Sequence, residues 1–159
     1  QEEDDFFTAV DDLNRSDRGA GHMGESGFGA GVFYLYACIN RELLLENLQG
    51  DQVLTSKTLT ALLESMCKVA PTGKQNSYAS RAYASYALAE KGDQQPRSLA
   101  LAFLNPVNGP DFVNEAIAKL DQKAENMDKV YGTCADARYS FNTETGAGTL
   151  EGLIRFATE

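Results

Sequence analysis

A single lysine, Lys74, leaves a tight turn beside three hydrogen-bonding side chains in the stretch PTGKQNSY, residues 71–78. Lys74 can offer a point charge to a phosphate, and Gln75, Asn76 and Ser77 can add neutral donors. The free backbone N–H groups of such a turn extend that set. An ordinary polar turn is the competing reading. A small enzyme site built from Lys74, Ser77 and Tyr78 is another. Tyr34, Tyr36, Tyr78, Tyr83 and Tyr86 can stack on nucleic-acid bases, or can serve as core and cross-strand pairs.

Other chemistries find little support. The one histidine, His22, lies in a glycine-rich stretch, so any triad or histidine acid–base pair has to use it. An exposed loop histidine is the plainer reading. Cys38, Cys67 and Cys134 lack Cys-x-x-Cys or Cys-His spacing, which argues against zinc and for small core residues. Gly19, Gly21 and Gly24 form GxGxxG, yet no strong strand precedes them and no helix clearly follows, so the dinucleotide fingerprint fails on context. No Gly-Lys-Ser/Thr stands at the distance a P-loop needs. No pair of acids stands out from the solvated charges. The residues therefore point away from catalysis, and no metal or cofactor is expected.

Composition sets a tension. The 159 residues carry a formal net charge of −9, with 43% hydrophobic and 23% charged residues. That is ordinary for a globular domain, but the sign is wrong for a nucleic-acid binder. A local basic groove on an acidic particle resolves the conflict, since the acidic surplus limits non-specific binding. Three widely spaced cysteines argue against a disulfide framework and for a reducing cytoplasm. No apolar run suits a membrane span. The chain opens at Gln1, and six of its first twelve residues are acids. Such an opening is expected of the middle of a longer protein; a processed terminus is the alternative.

The elements that must position Lys74 follow from periodicity. Residues 1–13 fit either a short helical face or an extended arm. Residues 14–31 hold six glycines, which predicts a loop able to bend closely around something. Residues 32–39, VFYLYACI, read as the best strand in the chain, central and covered on both faces. Asn40 caps a helix over Arg41–Leu48, which Gly50 stops. Thr55 or Ser56 caps a second helix running to about Val69, ended by Pro71 and Gly73. Tyr78–Ala89 reads as a strand. A second apolar stretch, SLALAFLNPV, is broken by Pro106. Pro110 suits the first turn of a helix over Asp111–Val130. Tyr139–Phe141 is a short strand, and Thr149–Thr158 a terminal helix with Leu150, Leu153, Ile154 and Ala157 inward. This order, without regular βαβ units, predicts an α+β fold.

Several segments, taken in order, resemble the CasC family, the multi-copy backbone subunit of type I-E Cascade. They are EDDFFTAVDDL, GAGHMGESGFGAGVFYLYACINRELLLENL, PTGKQNSYA and QPRSLALAFLNPV, spanning roughly residues 2–107. The resemblance implies a RAMP-type protein with a partial RRM-like (ferredoxin-like) palm. Residues 1–31 would then be the distal part of a glycine-rich, thumb-like arm, and 32–159 the C-terminal part of the palm. The family is longer, and its N-terminal half supplies the first palm strand and many basic contacts, so this chain corresponds to its C-terminal part. The implied function is non-catalytic guide-RNA binding in a CRISPR surveillance complex, in antiviral defence. The implied partners are guide RNA, the target DNA strand, copies of itself in a filament, and other Cascade subunits. Lys74 inherits the contact to the guide backbone, with Gln75 and Asn76 beside it. His22 and Met23 fall where the thumb approaches the bases. An acidic protein-interaction module acting through the N-terminal acids is a further reading.

Overall fold

The computed structural model describes residues 2–9 and 22–159. Strand β1 (Glu2–Ala9) pairs antiparallel with β2 (His22–Gly29), from Glu2 opposite Gly29 to Ala9 opposite His22. The extended reading of the N-terminal stretch therefore holds over the helical one. The expected loop does not hold for residues 22–29, which form β2 despite their glycines. A continuous eight-residue ladder satisfies the backbone whatever the side chains, and glycine only weakens a strand without forbidding it. Gly19 and Gly21 lie outside the described residues.

The body of the chain is built on a second pair. Strand β3 (Tyr86–Lys91) runs antiparallel to β4 (Ala137–Asn142), with Tyr86 opposite Asn142. The helices are α1 (Arg41–Asn47), α2 (Gln52–Lys68), the single turn α3 (Gln75–Tyr78), α4 (Phe112–Tyr131) and α5 (Leu150–Thr158). A short 3₁₀ turn spans Ala100–Phe103. Period-two alternation along β3 sends its residues to two cores. Ala87 and Ala89 pack with Cys67 and Leu63 of α2 and with Leu150 and Leu153 of α5. Tyr86 and Leu88 pack with Leu120, Ala124 and Met127 of α4 and with Leu99. The sheet is thus covered on both faces, and the chain is α+β. Burial raises the pKa of the Cys67 thiol, as expected of a cysteine used for packing. Among the described residues no helix is long and apolar enough to cross a membrane.

Local chemistry accounts for most helix ends. Asn40 Oδ1 accepts from Leu43 N at 2.9 Å, the cap expected for α1. Helix α2 starts earlier than expected, because Asp51 Oδ1 accepts from Leu54 N at 2.9 Å and takes the capping role from Thr55. Thr55 is buried inside the helix, its hydroxyl donating to Asp51 O. Asp111 and Thr149 cap α4 and α5. Gly152 of α5 is required where it stands, since a Cβ there would collide with the Tyr139 hydroxyl.

Four charged side chains tie the third layer to the sheet. Arg138 on β4 meets Glu90 on β3 and Asp128 on α4, each at 2.6 Å. Arg97 meets the second Asp128 oxygen, also at 2.6 Å. The Cys134 N–H donates to Asp128 Oδ1 at 3.3 Å. The hydrogen bond from Arg138, helped by Arg97 and opposed by desolvation, holds the Asp128 carboxyl far below the usual carboxylate range.

Two expected strands are corrected. Residues 32–39 form no strand, and every one of them is exposed, with Phe33 at 82% and Leu35 at 67%. Their composition is right for a central strand, but pairing is non-local. Among the described residues β3 and β4 pair only with each other, and no strand lies alongside this segment. It has no regular secondary structure instead, with the Tyr34 hydroxyl accepting from Leu99 N at 3.1 Å and its ring 5.7 Å from Phe103. Of the expected strand Tyr78–Ala89, only Tyr86 onward pairs, and Gln75–Tyr78 is helical.

Candidate nucleic-acid interface

The Lys74 turn is built by two bends. Helix α2 ends at Lys68, and Pro71 keeps the chain from resuming it. Lys74 then takes φ 55° and ψ 27°, the left-handed region. One helical turn follows, and Ala79 enters the same region at φ 48°. Neither residue is glycine, so each bend costs about 1 kcal/mol. Gln75 supplies the restraint. Its side-chain amide donates to Pro71 O at 2.6 Å and to Ser80 O at 3.1 Å, clasping the two ends of the turn. Backbone bonds from Ser77 and Tyr78 N–H to Lys74 O close the helical turn itself.

The arm rests on this turn. The Phe28 ring of β2 stacks on the Tyr78 ring, with centroids 4.0 Å apart and planes 12° from parallel. The Tyr78 hydroxyl donates to Ser26 O at 3.4 Å. Lys74, Asn76 and Ser77 are exposed around this contact, while Gln75 and Tyr78 are half-buried.

The expected site residues are therefore only partly brought together. Lys74, Gln75 and Asn76 share one turn, but Gln75 has its amide engaged inside the turn and acts on Lys74 through the backbone. Met23 is 72% exposed on β2, opposite Thr8. It lies five residues along the strand from Phe28, about 17 Å at strand rise. Of His22 the structure describes the backbone, opposite Ala9. The tyrosines divide as well. The Tyr86 hydroxyl donates to Asp121 Oδ1 at 2.6 Å, and Tyr34 is engaged with Leu99, so both serve the fold. Tyr83 stays exposed, on the rim of a cavity of about 340 Å³ between α2, β4 and α5. Lys74, Ser77 and Tyr78 line neither that cavity nor the smaller one beside α4. Among the described residues no group of His, Cys, Asp and Glu is placed to hold a metal.

The chain matches the model of the CT1975-like protein family over residues 1–155. It belongs to that family. Two solved structures resemble this family member over nearly its whole length. One is described as a CRISPR RNA-guided surveillance complex; it is 30% identical, with a TM-score of 0.77, and the alignment covers 99% of this chain and 64% of that one. The other is described as a CRISPR RNA-guided surveillance complex, pre-nicking; it is also 30% identical, with a TM-score of 0.75, covering 99% of this chain and 50% of that one. The chain thus spans about two thirds of the first relative's length or less. No curated protein matches it at a significant level.

The sequence around Lys74 also has a distinctive charge pattern. From Ser65 to Ala89 this CT1975-like chain has no Asp or Glu, yet it holds Lys68, Lys74 and Arg81. In a chain of net charge −9 this window is locally positive in sequence, although Lys68 pairs with Glu64 at 3.5 Å. The aromatic partner Phe28 was unread, because nothing local links it to Tyr78 fifty residues later.

Proposed function

We propose that this chain is part of a non-catalytic, CasC-type backbone subunit of a Cascade complex, which grips guide RNA and stacks with copies of itself and with other subunits. The observation that carries the reading is the Lys74 turn. A strained, clasped bend presents an exposed cation within an acid-free window, and a two-stranded arm is seated directly on it. Phosphate contacts position a protein on nucleic acid, and an exposed lysine on a fixed turn is suited to that task. The family membership and the two surveillance-complex relatives support the same reading. The arm, residues 1–31, then reaches over the RNA and its paired target strand, with Met23 toward its outer part. A complex of this kind works in the cytoplasm.

The test is Lys74→Ala in the full-length subunit, with guide RNA binding followed by fluorescence anisotropy. Affinity is expected to fall about tenfold at low salt, since a charge-assisted contact is lost. The loss is expected for unrelated RNA sequences alike. The slope of log K against log salt is expected to become shallower by about 0.7. Unchanged affinity at low salt overturns the assignment of Lys74.

A further inference from the structure

The stack between Phe28 and Tyr78 joins two parts of the chain that the proposed function needs at once. We propose that this pair is a positioning contact: it sets the angle of the β1–β2 arm against the Lys74 turn, so that both meet one RNA strand as a rigid unit. The inference rests on the RNA-binding reading and adds to it two residues that do not touch RNA.

Three features carry it. First, the rings are 4.0 Å apart and 12° from parallel, which fixes the tilt between their two backbones more tightly than an aliphatic contact does. Second, the Tyr78 hydroxyl reaches Ser26 O at 3.4 Å, so the ring is held at its tip as well as its face. Third, Tyr78 closes the same single helical turn that begins after Lys74, and its N–H donates to Lys74 O at 3.0 Å. A movement of the arm is therefore transmitted to the lysine through one turn of backbone. Asp4, Phe6, Thr8, Met23, Glu25 and Gly27 are all exposed, and an isolated two-stranded hairpin is marginal by itself. Without the stack, the arm samples many directions and RNA binding has to select one, which lowers apparent affinity.

The experiment uses the full-length subunit and compares Phe28→Ala, Tyr78→Ala, Tyr78→Phe and Lys74→Ala. Each is measured for guide-RNA affinity at several salt concentrations and for thermal midpoint. Amide hydrogen exchange of β2 and of β3–β4 is followed in parallel. Phe28→Ala and Tyr78→Ala are each expected to weaken binding about tenfold. The salt slope should stay unchanged, because no phosphate contact is removed. Exchange is expected to rise in β2 and not in β3–β4. The double variant Phe28→Ala/Tyr78→Ala should lose no more than either single variant, since one contact is removed in both cases. Tyr78→Phe keeps the ring and removes only the hydroxyl contact, so it should recover most of the affinity. Normal binding by Phe28→Ala, beside weakened binding by Lys74→Ala, overturns the positioning role and leaves the RNA reading intact. Normal binding by both variants overturns the Lys74 turn as the RNA contact, and failure of the parent subunit to bind guide RNA overturns the RNA reading itself. A global rise in exchange or a collapsed thermal midpoint for Phe28→Ala also overturns the inference, because the stack is then part of the fold.

Discussion

The β3–β4 sheet and the β1–β2 arm are both two-stranded antiparallel pairs, but they bury their side chains in opposite ways. Along β3 the alternating residues enter cores on both faces, one against α2 and α5, the other against α4. An ion cluster of Glu90, Asp128, Arg138 and Arg97 then stitches the layers together. Along the arm, Phe6 is 65% exposed and Met23 72% exposed, and the neighbouring segment 32–39 carries Phe33 and Leu35 into solvent. The sheet has what it needs within the described chain. Among its described residues the arm shows its own ladder, one aromatic stack and the Tyr78–Ser26 hydrogen bond. Apolar surface of this kind is normally kept for a partner, and a surface kept for a partner contributes little to the stability of the chain alone. Substitutions in the two regions should therefore separate stability from binding.

The largest effect is expected in the sheet's packing. Leu153 on α5 is 2% exposed and sits against Cys67 and Phe141. Leu153→Ala should cost about 3 kcal/mol in denaturant unfolding, from lost transfer energy and the cavity left behind. A cost below about 1 kcal/mol would mean that α5 is not seated on the sheet as described.

The ion cluster comes next, and it carries a pH signature. The folded-state pKa of Asp128 is lowered chiefly by its hydrogen bond from Arg138. A lowered carboxylate pKa contributes stability that is complete above the unfolded value of about 4 and fades as pH falls below it. Asp128→Asn should therefore cost about 2 kcal/mol at pH 7, less than for a fully buried pair because the cluster has an open edge. The gap between the variant and the parent should begin to narrow as pH falls below about 4 and close only as pH passes the lowered folded-state value. Stability curves that remain parallel across that range would show that Asp128 gains nothing from its arginine partners.

The same contrast explains what was legible in the sequence. Helices α1, α4 and α5 were visible because their signals are local: Asn40 stands where a cap belongs and the apolar residues follow at helical spacing, while Asp111 and Thr149, expected inside their helices, prove to be the caps, which leaves Pro110 outside the first turn. Strand β4 was found around Tyr139–Phe141 because turns bound it, whereas the expected strand Tyr78–Ala89 meets β3 only from Tyr86. Strand pairing is a different matter, since it depends on what lies alongside. VFYLYACI has ideal strand composition and no partner among the described residues, while HMGESGFG has poor composition and a full ladder. The Lys74 turn was located but its shape was not. Left-handed backbone at Lys74 and Ala79 is not announced by glycine, and the Gln75 clasp that holds it spans a distance that periodicity does not measure. The Phe28–Tyr78 stack, the contact that joins arm to turn, is further still from any local signal.

The smallest effect on stability is expected where the apolar side chains are most exposed. Phe6 stands on the arm opposite Glu25, and Phe33 projects from the unpaired segment. Each ring already meets water, so replacing it removes almost no buried area. Phe6→Ser and Phe33→Ser should each stay within about 0.5 kcal/mol of the parent in denaturant unfolding. If either costs more than about 1 kcal/mol, its ring is packed in solution and the arm or the segment belongs to the body. If both are neutral alone yet weaken assembly with copies of the full-length subunit, then their exposure is the cost of an interface, and the contrast between sheet and arm is one between folding and assembly.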